Sequence, residues 1–196
     1  MGRLFAEAVN RFGRVDVWVN NAGRGISRKI LDLTDADVDE MIAVNLKSVL
    51  YGMQAVVPHF QERREGHLIN VSSFLGRVSF VSFRSAYNAA KAGVNILTAN
   101  LRMDLRRTHP GVHVSLVMPG AVSTDFARNA LGGTPPMPGG GRSPMAPQTA
   151  EEVAGLIRDL IEHPKAELYT NPACPDLAVR YYRDVEAFEN QIFGGK

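Results

Sequence analysis

Three short apolar runs govern what this chain can become, because each stops at a cluster of small or polar residues and a helix-period segment separates it from the next. The runs are residues 15–19, stopping at Asn20-Asn21-Ala22-Gly23; residues 67–71, stopping at Ser72-Ser73; and residues 112–118, stopping at Pro119-Gly120. Their β-branched content suits strands. Strands separated by helices pair in parallel through helical crossovers, so the expected class is α/β, a parallel sheet between helical layers. In such sheets ligands lie beyond the carboxyl ends of the strands. The three small or polar clusters would line that one crevice.

The intervening segments carry the helical period. Leu4, Phe5, Ala8 and Phe12 predict an opening helix with Gly13 as its C-terminal cap. Thr34 is a suitable N-cap with Asp35 and Asp37 in the first turn, and the pattern after it runs as far as Pro58. Its apolar stripe is Val38, Met41, Ile42, Val49, Met53 and Val56, with Asn45 in the middle of the buried face. A buried amide there requires a hydrogen-bonding partner. A third helix starts at residues 85–88, turns Ala90, Val94, Leu97, Leu101 and Leu105 inward, and closes before Pro110-Gly111. Residues 151–162 predict a fourth helix, residues 167–170 a short last strand, and Leu177, Tyr181, Val185, Phe188 and Ile192 one stripe of a single C-terminal helix over 176–193. Between them, ten of the sixteen residues 132–147 are glycine or proline, which reads as a long, mobile surface loop or lid. The 196 residues suit one domain spanning 1–196.

Several function classes are disfavoured. Lysine and arginine total 22 against 20 acids, and no basic run concentrates that excess, so nucleic acid is not an expected partner. No segment approaches the ~18 apolar residues of a membrane span, and the N-terminal residues do not resemble an export signal, so no membrane partner is expected. Cys174 has no second cysteine to pair with, which fits a reducing, cytoplasmic setting. His59, His67, His109, His113 and His163 fall at no zinc-ligand spacing, so no metal is expected.

Tyr87 and Lys91 are four residues apart and share one face at the start of the third helix. A neighbouring ammonium favours a phenolate, so the pair can work as one acid/base. A hydroxyl at Ser73 could polarise a carbonyl oxygen held near that tyrosine, and Asn45 would close the polar cluster. These residues resemble the short-chain dehydrogenase/reductase family across essentially the whole chain. Five motifs carry the resemblance in order: Asn20-Asn21-Ala22-Gly23, Val44-Asn45-Leu46, Asn70-Val71-Ser72-Ser73, Tyr87-Asn88-Ala89-Ala90-Lys91 and Pro119-Gly120-Ala121-Val122-Ser123-Thr124.

The resemblance implies a doubly wound, Rossmann-type parallel sheet and an NAD- or NADP-dependent oxidoreductase acting on a small alcohol or ketone. It implies catalytic roles for Tyr87 (proton transfer), Lys91 (lowering the tyrosine's pKa and holding the nicotinamide ribose), Ser73 (orienting substrate) and Asn45 (positioning a water in a proton relay). It also implies cofactor contacts from Asn21, Ala22, Gly23, Tyr87, Lys91, Pro119, Gly120, Val122 and Thr124, and a homo-oligomer. One residue more than usual separates Ser73 from Tyr87, which keeps Ser72 as the alternative. The family's N-terminal strand, glycine-rich turn and helix have no counterpart before residue 20, so the chain reads as a partial, N-terminally truncated domain. Residues 15–19 would then form an open sheet edge, and cofactor affinity would fall with the lost phosphate turn. The competing expectation is a non-catalytic remnant acting as an oligomerising or interaction module. The choice between NAD and NADP is unreadable, because the residues that read the adenosine 2′ position belong to the absent segment.

Overall fold

The computed structural model describes residues 1–133 and 145–193. Helix α1 (Gly2–Phe12) ends at Gly13, whose φ of 79° closes the helix in the left-handed region, as its lack of a Cβ allows. Strand β1 (Val17–Asn20) follows, and a loop leads to α2 (Asp35–Ile42). Thr34 and Asp37 form a reciprocal capping box at the start of α2. A π-helical turn, Ala43–Lys47, joins α2 to α3 (Ser48–Arg63). Then come β2 (Gly66–Val71), α4 (Ser85–Leu105) and β3 (Val112–Met118). Two-residue strands β4 (Val122–Ser123) and β5 (Gln148–Thr149) pair in parallel, and α5 (Ala150–Glu162), β6 (Glu167–Tyr169), α6 (Cys174–Arg183) and α7 (Val185–Phe193) complete the described chain.

The main sheet has the order β1-β2-β3-β6 and is parallel throughout, with Asn20 opposite Asn70 and Val71 opposite Val117. The fold class is the expected one. One face packs on α1, α3 and α4 through Trp18, Val56, Phe60, Leu68, Val94 and Leu116. The other packs on α5 through Ile69, Val71, Val117 and Leu160. Val19, on β1, stays 40% exposed, because α5 reaches Val17 but not the end of that edge strand. Among the described residues no helix is long and apolar enough to cross a membrane, and no group of three or more His, Cys, Asp or Glu residues could hold a metal.

The structure corrects several expectations. The helix expected to stop at Pro58 continues to Arg63. Proline removes one backbone donor, but the extra turn buries Phe60 completely, a gain of ~2–3 kcal/mol that offsets the loss. The long pattern is also interrupted by the π-turn, and Val38 is exposed rather than part of the buried stripe. In α1, Leu4 and Phe12 are exposed, and only Phe5 of the expected stripe packs on the core. The single C-terminal helix is two: Asp184 is extended, and its carboxylate accepts from the Ala187 backbone N–H at 2.9 Å to start α7. Leu177 and Phe188 remain in one core cluster, whereas Val185 is exposed. Of the expected loop or lid over 132–147, residues 134–144 lie outside the described residues; the flanking residues lead into the β4–β5 pair, which the sequence did not indicate.

Candidate active site

The carboxyl ends of β1, β2 and β3 bring the sequence-nominated residues to one place. Strand β2 ends at Val71, and Ser72 and Ser73 point in different directions. Ser72 Oγ donates to the Lys91 carbonyl oxygen at 3.1 Å and lies 2.5 Å from Asn95 Oδ1, tying β2 to α4. Ser73 caps a short 3-10 turn, Phe74–Gly76, by accepting from the Leu75 N–H, and its hydroxyl faces Tyr87 and favours the charged form of the phenol. The hydroxyl facing the tyrosine is therefore that of Ser73, and Ser72 is committed to the helix behind it.

Tyr87 and Lys91 lie in the first two turns of α4 and are buried. Lys91 Nζ sits 5.8 Å from the centre of the Tyr87 ring and donates to the Val71 carbonyl at 2.9 Å. Burial pushes the Lys91 ammonium down to about 8. Burial pushes the Tyr87 phenol up, while the Ser73 hydroxyl and the positive charge of Arg84 pull against it. The sequence nominated Lys91 for that lowering; in the folded chain the opposing groups are Ser73 and Arg84.

Asn45 is fully buried, and the π-turn aims its side chain at the loop after β1. Its Oδ1 accepts from the Arg24 N–H at 3.0 Å, and its Nδ2 donates to the Arg24 carbonyl at 2.9 Å and to the Met41 carbonyl at 3.2 Å. The amide thereby pairs with Arg24 as another strand would, which fixes the path of Asn21-Ala22-Gly23. A Cβ on Gly23 would stand 3.1 Å from Asn45 Oδ1 and 3.5 Å from Lys91 Nζ. The missing side chain is what leaves a gap between these two polar groups. Asn21, Ala22 and Gly23 themselves are exposed at the mouth of this gap.

The loop after β3 contributes less directly. Pro119 accepts a backbone bond from Phe74 at 2.8 Å, Val122 lies in β4, and Thr124 Oγ1 accepts from the Phe126 N–H at 3.3 Å. No hydrogen bond among the described residues joins Pro119, Gly120, Val122 or Thr124 to Tyr87 or Lys91. Phe126 makes the connection, packing edge-on to the Tyr87 ring at 5.4 Å. Neither Phe126 nor Arg84 was singled out from the sequence. The only available signal for Arg84 was its position three residues before Tyr87, on the same side of the helix start.

Residues 1–132 match the model of the short chain dehydrogenase family. Among curated proteins, the chain is 33% identical over 180 residues to the uncharacterized oxidoreductase YxnA of Bacillus subtilis, covering 91% of this chain and 50% of that one. It is similarly 39% identical over 121 residues to an uncharacterized oxidoreductase of Staphylococcus aureus strain MW2, covering 62% and 51%. The chain thus spans about half the length of the curated relatives it matches. A short-chain dehydrogenase from Streptomyces avermitilis superposes with a TM-score of 0.78 at 27% identity, over 95% of this chain and 72% of that one. The fold is shared as well with a short chain dehydrogenase from Burkholderia cenocepacia in complex with NADP, with a TM-score of 0.75 at 23% identity, over 97% of this chain and 76% of that one.

Proposed function

The chain belongs to the short chain dehydrogenase family, and from that premise we propose that it is an NAD- or NADP-dependent oxidoreductase interconverting a small alcohol and its ketone. The observation that carries this reading is the buried Tyr87–Lys91 pair, with the Ser73 hydroxyl facing the phenol and Lys91 Nζ beside Gly23 at the carboxyl ends of the strands. The names of its relatives, oxidoreductases, and the NADP held by the Burkholderia protein support the same chemistry.

The residues present fit a nicotinamide nucleotide at this end of the sheet. The lack of a side chain at Gly23 leaves a narrow cradle between Asn45 and Lys91 that a Cβ would fill. Asn21, Ala22 and Gly23 would hold it from the β1 side, Tyr87 and Lys91 from α4, and Pro119, Gly120, Val122 and Thr124 from the loop after β3. When bound, the nicotinamide supplies or accepts the hydride. The protein's own part is proton handling and orientation. The Tyr87 hydroxyl gives its proton to the carbonyl oxygen during reduction and recovers it from the alcohol during oxidation. Ser73 donates to the same substrate oxygen and keeps it in reach of Tyr87. Lys91, with its ammonium held down to about 8, exchanges protons readily near neutral pH and places a positive charge beside the nucleotide. Asn45 acts by holding the Arg24 backbone, so the loop before it presents a fixed edge. The reading includes self-association into a homo-oligomer.

The test is hydride transfer by the purified chain, followed as loss of NADH or NADPH absorbance across a panel of small ketones. The wild-type chain turns over at least one ketone, and Tyr87→Phe lowers that rate by about 10³-fold, within the usual range for a lost acid/base. Turnover that survives Tyr87→Phe would overturn the assignment.

A further inference from the structure

Three arginines surround the segment that follows β1, and they differ in what balances their charge. Arg24 is paired with Glu40, and Arg28 with Asp37 at 3.3 Å. Arg84 has no carboxylate partner among the described residues, although it is the most buried of the three, at 8% exposure. Its Nη1 donates to the Ile26 carbonyl at 2.9 Å, and its guanidinium lies 5.7 Å from the centre of the Phe126 ring. A guanidinium carries five N–H donors, so most of its capacity is unused by the protein. None of its nitrogens is among the enclosed side-chain atoms left without a partner. Among the described residues nothing encloses the unused donors.

The guanidinium adjoins the reacting groups. Phe126 lies between Arg84 and Tyr87, touching both, and the Arg84 charge acts on the Tyr87 phenol. Gly25 completes the wall: a Cβ there would stand 2.7 Å from Arg84 Nη1 and 2.9 Å from Phe126 Cε1. Three segments distant in sequence thus converge to hold one cation at the edge of the cleft. A buried guanidinium without a counter-charge is costly to fold around, and the simplest compensation for one facing an opening is an anionic ligand.

We propose that Arg84 is the substrate-recognition group of this site and that the preferred alcohol or ketone carries a carboxylate. This rests on the oxidoreductase reading for the identity of the ligand, while the anion-binding subsite stands on the geometry of Arg84. The planar fork of the guanidinium matches a carboxylate through two parallel hydrogen bonds. Holding the substrate by its acid leaves the carbonyl free to meet Tyr87 and Ser73.

The test compares ketones that differ only in charge: 4-oxopentanoate and 5-oxohexanoate against their methyl esters. Binding is measured by calorimetry on the whole chain without cofactor, and hydride transfer is assayed in parallel with NADH and NADPH. The wild-type chain binds one of the acids about tenfold more tightly than its ester, the scale of a hydrogen bond to a charged group. Arg84→Gln, which removes the charge and keeps a polar amide, brings acid and ester to about equal affinity, and Arg84→Lys keeps part of the preference. Equal binding of acid and ester by the wild type, no saturable binding of either acid, or a preference that survives Arg84→Gln would each overturn the proposal. The wild-type comparison needs no variant to fold. An acid preference without hydride transfer supports the subsite and overturns only the oxidoreductase reading; transfer to neutral ketones without an acid preference does the reverse.

Discussion

The parallel sheet buries titratable side chains at both of its ends, and the two ends treat them differently. At the amino ends, His67 of β2 is enclosed: its Nε2 pairs with Ser115 Oγ at 2.8 Å, its ring abuts His113, and its Nδ1 has no partner among the described residues. Burial, with His113 adding to it, pushes His67 down to about 4. At the carboxyl ends, Lys91 and Tyr87 are as deeply buried, and burial disfavours their charged forms too. There, however, Lys91 borders the gap at Gly23, and nothing among the described residues encloses the unused donors of Arg84. The same desolvation is a plain stability cost where the group is shut in, and a capacity for chemistry or binding where it faces an opening.

That contrast separates the effects of substitutions at the two ends. The largest expected effect is at the carboxyl end: Tyr87→Phe lowers kcat/KM by about 10³-fold, roughly 4 kcal/mol of transition-state stabilisation, with little change in melting temperature. A large stability loss in that variant would blur the contrast. At the amino end the effect is on folding alone. With a folded pKa of about 4 against the ordinary 6.5, His67 binds protons more weakly in the folded state, so its contribution is present above pH 6.5 and is lost as pH falls toward 4. The loss is on the order of 3 kcal/mol. Urea unfolding at neutral and acid pH measures it, and His67→Gln flattens that acid dependence while leaving hydride transfer at neutral pH unchanged.

Smaller effects sharpen the picture within the carboxyl end. Gly23→Ala puts a methyl group against Asn45 and Lys91, and it weakens binding of whichever nicotinamide nucleotide the chain takes up about tenfold, or ~1.4 kcal/mol, as read by nicotinamide fluorescence. The two serines divide in the same way. Ser72→Ala loses its bonds to Lys91 and Asn95 and costs about 1 kcal/mol of stability in urea unfolding, with turnover kept. Ser73→Ala lowers kcat/KM by about tenfold or more with the smaller change in stability, because its hydroxyl faces Tyr87.

The strands were legible because β-branched runs end at residues that cannot continue them, and β3 has its expected bounds, Val112–Met118. The helix interior around Asn45 was not legible: a π-turn keeps a nearly helical period while rotating one side chain out of register, and periodicity cannot distinguish the two. Pro58 and Asp184 failed in opposite directions. Burial of Phe60 carries one helix past a proline, and a local cap divides another that has an unbroken apolar stripe. In the site, Tyr87, Lys91, Ser73 and Asn45 could be nominated from spacing and resemblance, since each lies within a compact motif. Arg84 could not, because its meaning depends on Ile26, 58 residues away, and on Phe126 from a third segment. A missing counter-ion is a property of the folded neighbourhood and leaves no trace in local sequence.

The chemistry proposed for the carboxyl end requires that it take up a nicotinamide nucleotide. Titration of the purified chain with NADH and NADPH, followed by nicotinamide fluorescence, is the decisive measurement, with Lys91→Ala alongside. Saturable binding of at least one nucleotide by the wild type, clearly weakened in Lys91→Ala, is the predicted result. Absence of binding at millimolar nucleotide, or binding indifferent to Lys91→Ala, would contradict it.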